Sequence, residues 1–137
     1  MAGAPLDAIR RVPLFAELSD DELAQVARLF KERTFAPGET VAKEGSGGAA
    51  FYLIESGTAN VTVAGRERAA LGPGDYFGEI ALIDEGARSA TITAVEELGC
   101  YGLTFWDFRP LVQENAGICW KLLQFMVGRL RTAESAA

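Results

Sequence analysis

Residues 77–92, FGEIALIDEGARSATI, gather side chains suited to holding a phosphate ester. Gly78 has no Cβ, so backbone and ligand can approach closely there. A short helical turn over residues 80–84 leaves its first N–H groups without intrahelical partners. Those donors, with the positive end of the helix dipole, make an anion site. Arg88 closes the site from the other side, with a planar fork that matches two phosphate oxygens and stays charged at any working pH. Glu79 does not suit a phosphate, because like charges repel. An acid beside a phosphate cradle is better used as an acceptor for a sugar hydroxyl. The stretch therefore describes a phosphate, a ribose next to it and a tight wall. The plainer alternative is a strand-to-turn junction at Gly78-Glu79, with Arg88 on the surface beside Asp84 or Glu85.

The elements that position this stretch are short strands. Thr34-Phe35 is β-prone, and Pro37-Gly38-Glu39 turns the chain. Residues 40–43 alternate, 45–48 are a glycine-rich loop, and 51–54 read as a buried strand broken at Ser56-Gly57. Residues 58–64 alternate again, with Ala59, Val61 and Val63 on one face. Gly65 turns a hairpin into 67–71, and 72–75 lead into the site. Residues 89–95 and 99–104 are two further strands. Many short strands separated by glycine turns indicate an antiparallel sandwich or jelly roll.

Helices flank the strands. Residues 6–11 form a short helix ended by Pro13. Ser19, with Glu22 three residues on, is a capping box for a helix carrying Leu23, Val26, Ala27, Leu29 and Phe30 on its apolar face. The chain turns helical again after Trp106, over 107–113, with Pro110 best placed near a helix start. Residues 116–131 form a longer helix. Trp120, Leu123, Val127 and Leu130 recur on it at three- and four-residue steps, and Leu122, Phe125 and Met126 add a second apolar side. Such a helix packs against the barrel mouth and a second copy of the chain, or against one core alone. Arg129 and Arg131 suit the negative end of its dipole.

Composition narrows the chemistry. The 137 residues fit one domain with a real core, and 49% hydrophobic with 23% charged residues is ordinary for a globular protein. A formal charge of −6 argues against a broad nucleic-acid surface. With no histidine, imidazole metal sites and Ser-His-Asp or Cys-His catalysis are excluded. Cys100 and Cys119 lack a paired spacing and read as buried, reduced thiols. No leader and no membrane-length apolar run is evident, so a cytoplasmic location is expected.

The 77–92 stretch resembles the phosphate-binding cassette of the cyclic nucleotide-binding domain family. That family includes catabolite activator-type regulators, protein kinase A regulatory subunits and gated channels. Phe77, Gly78, Glu79, Ile80, Ala81, Leu82, Arg88, Ser89, Ala90, Thr91 and Ile92 all fit its pattern. The loop at 46–49 departs from it, lacking the acid that many members carry. The resemblance implies a mainly β fold: an antiparallel jelly-roll barrel over 33–104, N-terminal helices over 6–32 and C-terminal lid helices over 105–131, in a single domain 1–137. It implies that Glu79 takes a ribose 2′-hydroxyl and Arg88 the cyclic phosphate, with Phe77, Gly78, Ile80, Ala81 and Ser89 lining the site. Val61 and Ala69 would wall the base, and Trp120 on the lid helix would touch it.

The function that follows is a non-catalytic regulatory sensor with no cofactor and no metal. Its ligand is cAMP rather than cGMP, because Ser89 stands where cGMP-binding members often carry Thr. The expected partners are the nucleotide and, in one of the two readings of the C-terminal helix, a second copy through that helix. No nucleic acid and no membrane is expected, and the downstream effector is unknown. Whether the chain stands alone or belongs to a larger protein is left open. The rival is an interaction module that kept the fold and lost the ligand; an enzyme acting on a phosphorylated metabolite is disfavoured by the lack of a nucleophile–base pair.

Overall fold

A computed structural model describes residues 3–45, 50–83 and 88–136, without the side chains of Ile80, Ala81 and Ala136. Among the described residues, eight strands form two four-stranded sheets. The first holds β1 (Lys31–Phe35), β3 (Ala50–Ser56), β6 (Tyr76–Phe77) and β8 (Leu98–Thr104), in the order β1-β8-β3-β6. The second holds β2 (Thr40–Ala42), β4 (Ala59–Val63), β5 (Arg66–Leu71) and β7 (Thr91–Ala94), in the order β2-β7-β4-β5. All their pairings are antiparallel. No pairing joins the two sheets among the described residues, so the expected barrel is a two-layer jelly roll with β1 and β6 as the edges of one sheet and β2 and β5 as those of the other. Arg66, Glu67 and Arg68, all exposed on β5, are the kind of charges that keep an edge from pairing further.

The period of two along a strand sorts the core into two clusters. Phe51 and Leu53 of β3, with Tyr101 and Leu103 of β8, face the helices. Tyr52, Ile54, Leu98 and Cys100 face the opposite sheet, meeting Ala59, Ile92 and Ala94. Burial on both faces explains the unbroken apolar run at 51–54.

The helices are α1 (Leu6–Arg10), a 3-10 turn at Pro13–Phe15, α2 (Asp20–Ala27), α3 (Phe105–Glu114) and α4 (Ala116–Ala136). Phe15 ties them to the sheet, meeting Phe51 and Phe108 edge-on at 6.1 and 6.0 Å. Both bonds of the expected capping box are present: the Ser19 N–H donates to Glu22 Oε1 at 2.9 Å, and the Glu22 N–H donates to the Ser19 hydroxyl at 3.2 Å. Helix α2 ends at Ala27, so Leu29 and Phe30 lie beyond it, and β1 starts three residues earlier than Thr34.

Helix α3 starts at Phe105 and not after Trp106. The Thr104 hydroxyl accepts from the Asp107 N–H at 3.1 Å, and this cap sets the start. Pro110 consequently falls inside the helix, where a proline forgoes one backbone bond. Cys100 is buried as expected, but Cys119 is exposed on α4. The two-residue strand β6, too short to announce itself by alternation, was not expected.

Candidate functional site

The site begins where β6 ends. Phe77 pairs with Tyr52 across β3 and β6, and their rings lie 5.4 Å apart. Phe77 therefore packs on the cluster between the sheets. Gly78 follows with φ +86°, a conformation that side chains resist. A Cβ there would lie 2.5 Å from Arg88 Nη1 and 2.6 Å from the Ala50 carbonyl oxygen. The missing side chain thus lets the guanidinium settle directly on the backbone.

Arg88 is held there by β3: its Nη2 donates to the Ala50 carbonyl at 2.6 Å. Its own carbonyl accepts from the Gly45 N–H at 2.9 Å. Burial pulls its pKa below the ordinary arginine value, opposed by Tyr52. The group remains a cation. Among the described residues no carboxylate forms an ion pair with it. A half-buried cation with its fork anchored at one nitrogen can receive an anion.

Glu79 opens a 3-10 turn, Glu79–Leu82, in place of the turn expected over 80–84. Its side chain is only 18% exposed. Oε1 accepts from Arg129 Nη1 of α4 at 2.8 Å. Oε2 is buried and, among the described residues, has no hydrogen-bond partner. A buried carboxylate oxygen without a donor is costly, and a hydroxyl placed against it would satisfy it. Tyr76, just before, has its pKa raised, first by burial and then by the charge of Glu79. Leu82 closes the turn, buried among the helices.

The remaining expected residues divide. Ser89 is exposed beside Arg88. Val61 packs on the cluster between the sheets. Its partner across β4 and β5 is Ala69, which is exposed, so the inward face of this edge is uncovered at Ala69. The backbone of Ile80 and Ala81 lies in the 3-10 turn, but their side chains are outside the described residues, as are 46–49 and 84–87. Trp120 is 60% exposed on α4. The α4 side chain that meets Glu79 is Arg129, nine residues further on. Sequence reading assigned Arg129 only to the helix dipole; the acid left without a partner inside the motif was the signal pointing to it.

The rim of the site is wired by Glu44. Its N–H donates to Thr91 Oγ1 and its Oε1 accepts from the Ala64 N–H, each at 2.9 Å. That joins the end of β2 to β7 and to the β4–β5 hairpin. Among the described residues no group of acids and cysteines could hold a metal ion, and no helix is long and apolar enough to cross a membrane.

Residues 32–115 match the cyclic nucleotide-binding domain family. The chain is 35% identical over 127 residues to the cyclic AMP receptor protein of Thermus thermophilus, an alignment covering 89% of the chain and 59% of that protein. Its fold is similar to the N-terminal domain of a transcriptional regulator from Streptomyces coelicolor, with a TM-score of 0.85 and 34% identity, covering 96% of this chain and 94% of that one. It is also similar to the regulatory domain of Toxoplasma gondii protein kinase A in co-crystals with cAMP. There the TM-score is 0.69 and the identity 30%, over 77% of this chain and 42% of that one. The chain spans less than two thirds of the first curated relative it matches.

Proposed function

The chain belongs to the cyclic nucleotide-binding domain family, and from that premise we propose that it is a non-catalytic cytoplasmic sensor of cAMP. The carrying observation is the pair formed by Glu79 and Arg88: an acid with one buried oxygen lacking a donor, and a half-buried cation lacking a carboxylate among the described residues. A cyclic nucleotide supplies both needs, a ribose 2′-hydroxyl for Glu79 and a phosphate for Arg88. The base then lies over Val61 and the exposed Ala69. Ser89 at the position after Arg88 favours cAMP over cGMP, by the preference of the family.

The output is a population shift. Ligand binds best to the state in which α4 rests on the site through Arg129, and so draws α4 into that state. The chain's domain is read as the whole of 1–137, with no metal and no cofactor. A second reading, in which α4 also joins two copies, is supported by Trp120, Leu123, Val127 and Leu130, exposed at 60, 51, 43 and 58%.

The test is isothermal titration of the 137-residue chain with cAMP and then cGMP. The expected result is saturable binding near one ligand per chain, tighter for cAMP. Absence of heat and of thermal stabilisation with either nucleotide would overturn the sensor and leave the interaction module.

A further inference from the structure

Helix α4 is fastened to the rest of the molecule by two cations meeting acids on different modules. Arg129 meets Glu79 of the site. Eight residues earlier, Lys121 Nζ donates to Glu22 Oε1 of α2 at 2.6 Å. Glu22 is well placed for this. The capping box already fixes its carboxylate through the Ser19 N–H. Gly117, one turn before Lys121, leaves room for it, since a Cβ there would lie 3.1 Å from Glu22 Oε2. Ile118 and Leu122 are buried on the same part of α4.

Between the two ion pairs α4 is held by apolar packing, with Leu122 buried and Phe125 and Met126 partly buried. A cleft of about 500 Å³ runs under it, lined by Leu82, Phe105, Phe108, Val112, Leu122 and Met126. The stretch from Lys121 to Arg129 is continuous helix and spans about 12 Å at the usual helical rise. Fixing Lys121 therefore fixes where Arg129 arrives. Arg129 in turn orients the Glu79 carboxylate so that Oε2 is left for a hydroxyl.

We infer that Glu22 and Lys121 are positioning residues for nucleotide binding, a clamp on α4 that presets Arg129 against the ribose acceptor Glu79. This rests on the reading of Glu79 as the ribose acceptor. It makes the N-terminal helices part of the sensor: whatever moves α2 retunes the site through Lys121. The pKa of Glu22 is lowered, first by Lys121 and then by the Ser19 N–H, so the acid is ionised when it holds the lysine.

Titrations of the whole chain test this with Lys121→Met, Lys121→Arg and Glu22→Gln, each with cAMP and with 2′-deoxy-cAMP. Gln at 22 keeps the capping box and removes only the charge. The expected result is about three- to fivefold weaker cAMP binding for Lys121→Met and Glu22→Gln, the scale of one partly exposed ion pair acting through a preorganised state. The deoxy ligand, which makes no use of Glu79, is expected to change by less than about 1.5-fold. Lys121→Arg is expected to restore wild-type binding, and the double variant to cost no more than either single one. Wild-type affinity in Lys121→Met, or an equal loss for both ligands, overturns the clamp. Failure of the wild-type chain to bind any cyclic nucleotide instead overturns the sensor reading itself.

Discussion

Glu22 and Glu79 occupy similar positions in the structure and differ in one respect. Each accepts from a cation of α4, at 2.6 and 2.8 Å, and their side chains are 19 and 18% exposed. Glu22 takes a second donor on the same oxygen, the Ser19 N–H of the capping box, and its Oε2 is not a fully buried oxygen without a partner. Glu79 keeps one buried oxygen without a donor among the described residues. The difference lies in the burial of the second oxygen and not in the number of donors to it, and a buried oxygen without a donor is the one that a hydroxyl would satisfy. Two acids gripped by the same helix thus show how a fold can hold an element in place at one point and keep another point available.

The largest effect on that contrast comes from the cation beside the incomplete acid. Arg88→Ala is expected to weaken cAMP binding by about 2–3 kcal/mol, roughly 30- to 150-fold, as for other hydrogen bonds to charged groups. The expected cost in stability is smaller, about 1 kcal/mol, because among the described residues the Arg88 side chain makes one hydrogen bond, to the Ala50 carbonyl. Unchanged affinity by titration would remove the phosphate role. Gly78→Ala comes next. It forces a side chain to φ +86° and into the Ala50 carbonyl, with an expected cost of about 1–3 kcal/mol of stability in denaturant unfolding. A fully stable variant with wild-type binding would mean that Arg88 need not rest on Gly78.

How far these contrasts were legible in the sequence depends on range. That Gly78, Glu79 and Arg88 share one junction was legible from residue type and spacing within a dozen positions, because the 3-10 turn and its flanks are local structure. The capping box at Ser19 and Glu22 was legible for the same reason. The pairing of Glu79 with Arg129 and of Glu22 with Lys121 was not. Those residues are 50 and 99 positions apart, and only the packing of α4 on two modules brings them together. The strands other than β6 were found through glycine turns and alternation. Closure into a barrel was overestimated because the sequence does not disclose that β1, β2, β5 and β6 stop as edges. Pro110 was misplaced because the capping role of Thr104 went unnoticed.

The open oxygen itself can be probed by Glu79→Ala. An affinity loss of about tenfold is expected for cAMP, the scale of one hydrogen bond to a charged group, and little loss for 2′-deoxy-cAMP. Equal loss for both would place Glu79 away from the ribose. The closed acid should respond to pH instead. The folded-state pKa of Glu22 is lowered, first by Lys121 and then by the Ser19 N–H, so its contribution to stability is present above the usual carboxylate range and lost as pH falls through the depressed value. Glu22→Gln is expected to lower the melting temperature at pH 7 by an amount worth less than about 1 kcal/mol, and this difference should shrink at pH 3. A difference independent of pH would mean that the ionised carboxylate contributes nothing.

The smallest effect concerns Trp120, which sits next to Lys121 and thus at the clamped end of α4. At 60% exposed it loses little packing on truncation, so Trp120→Ala should change stability by less than about 0.5 kcal/mol. Its effect on binding separates two movements of α4. If ligand only secures Arg129 on Glu79, the clamped end stays where it is, the indole stays in water, and affinity changes less than about twofold. If ligand also swings the clamped end, or brings a second copy of α4 alongside, the indole leaves water and its emission shifts to the blue. Trp106 is equally exposed, at 61%, so the emission must be read in a Trp106→Phe background. A ligand-dependent blue shift at sub-micromolar protein, where a weak dimer dissociates, would assign Trp120 to the base of its own chain; a shift that appears only as concentration rises would assign it to the partner.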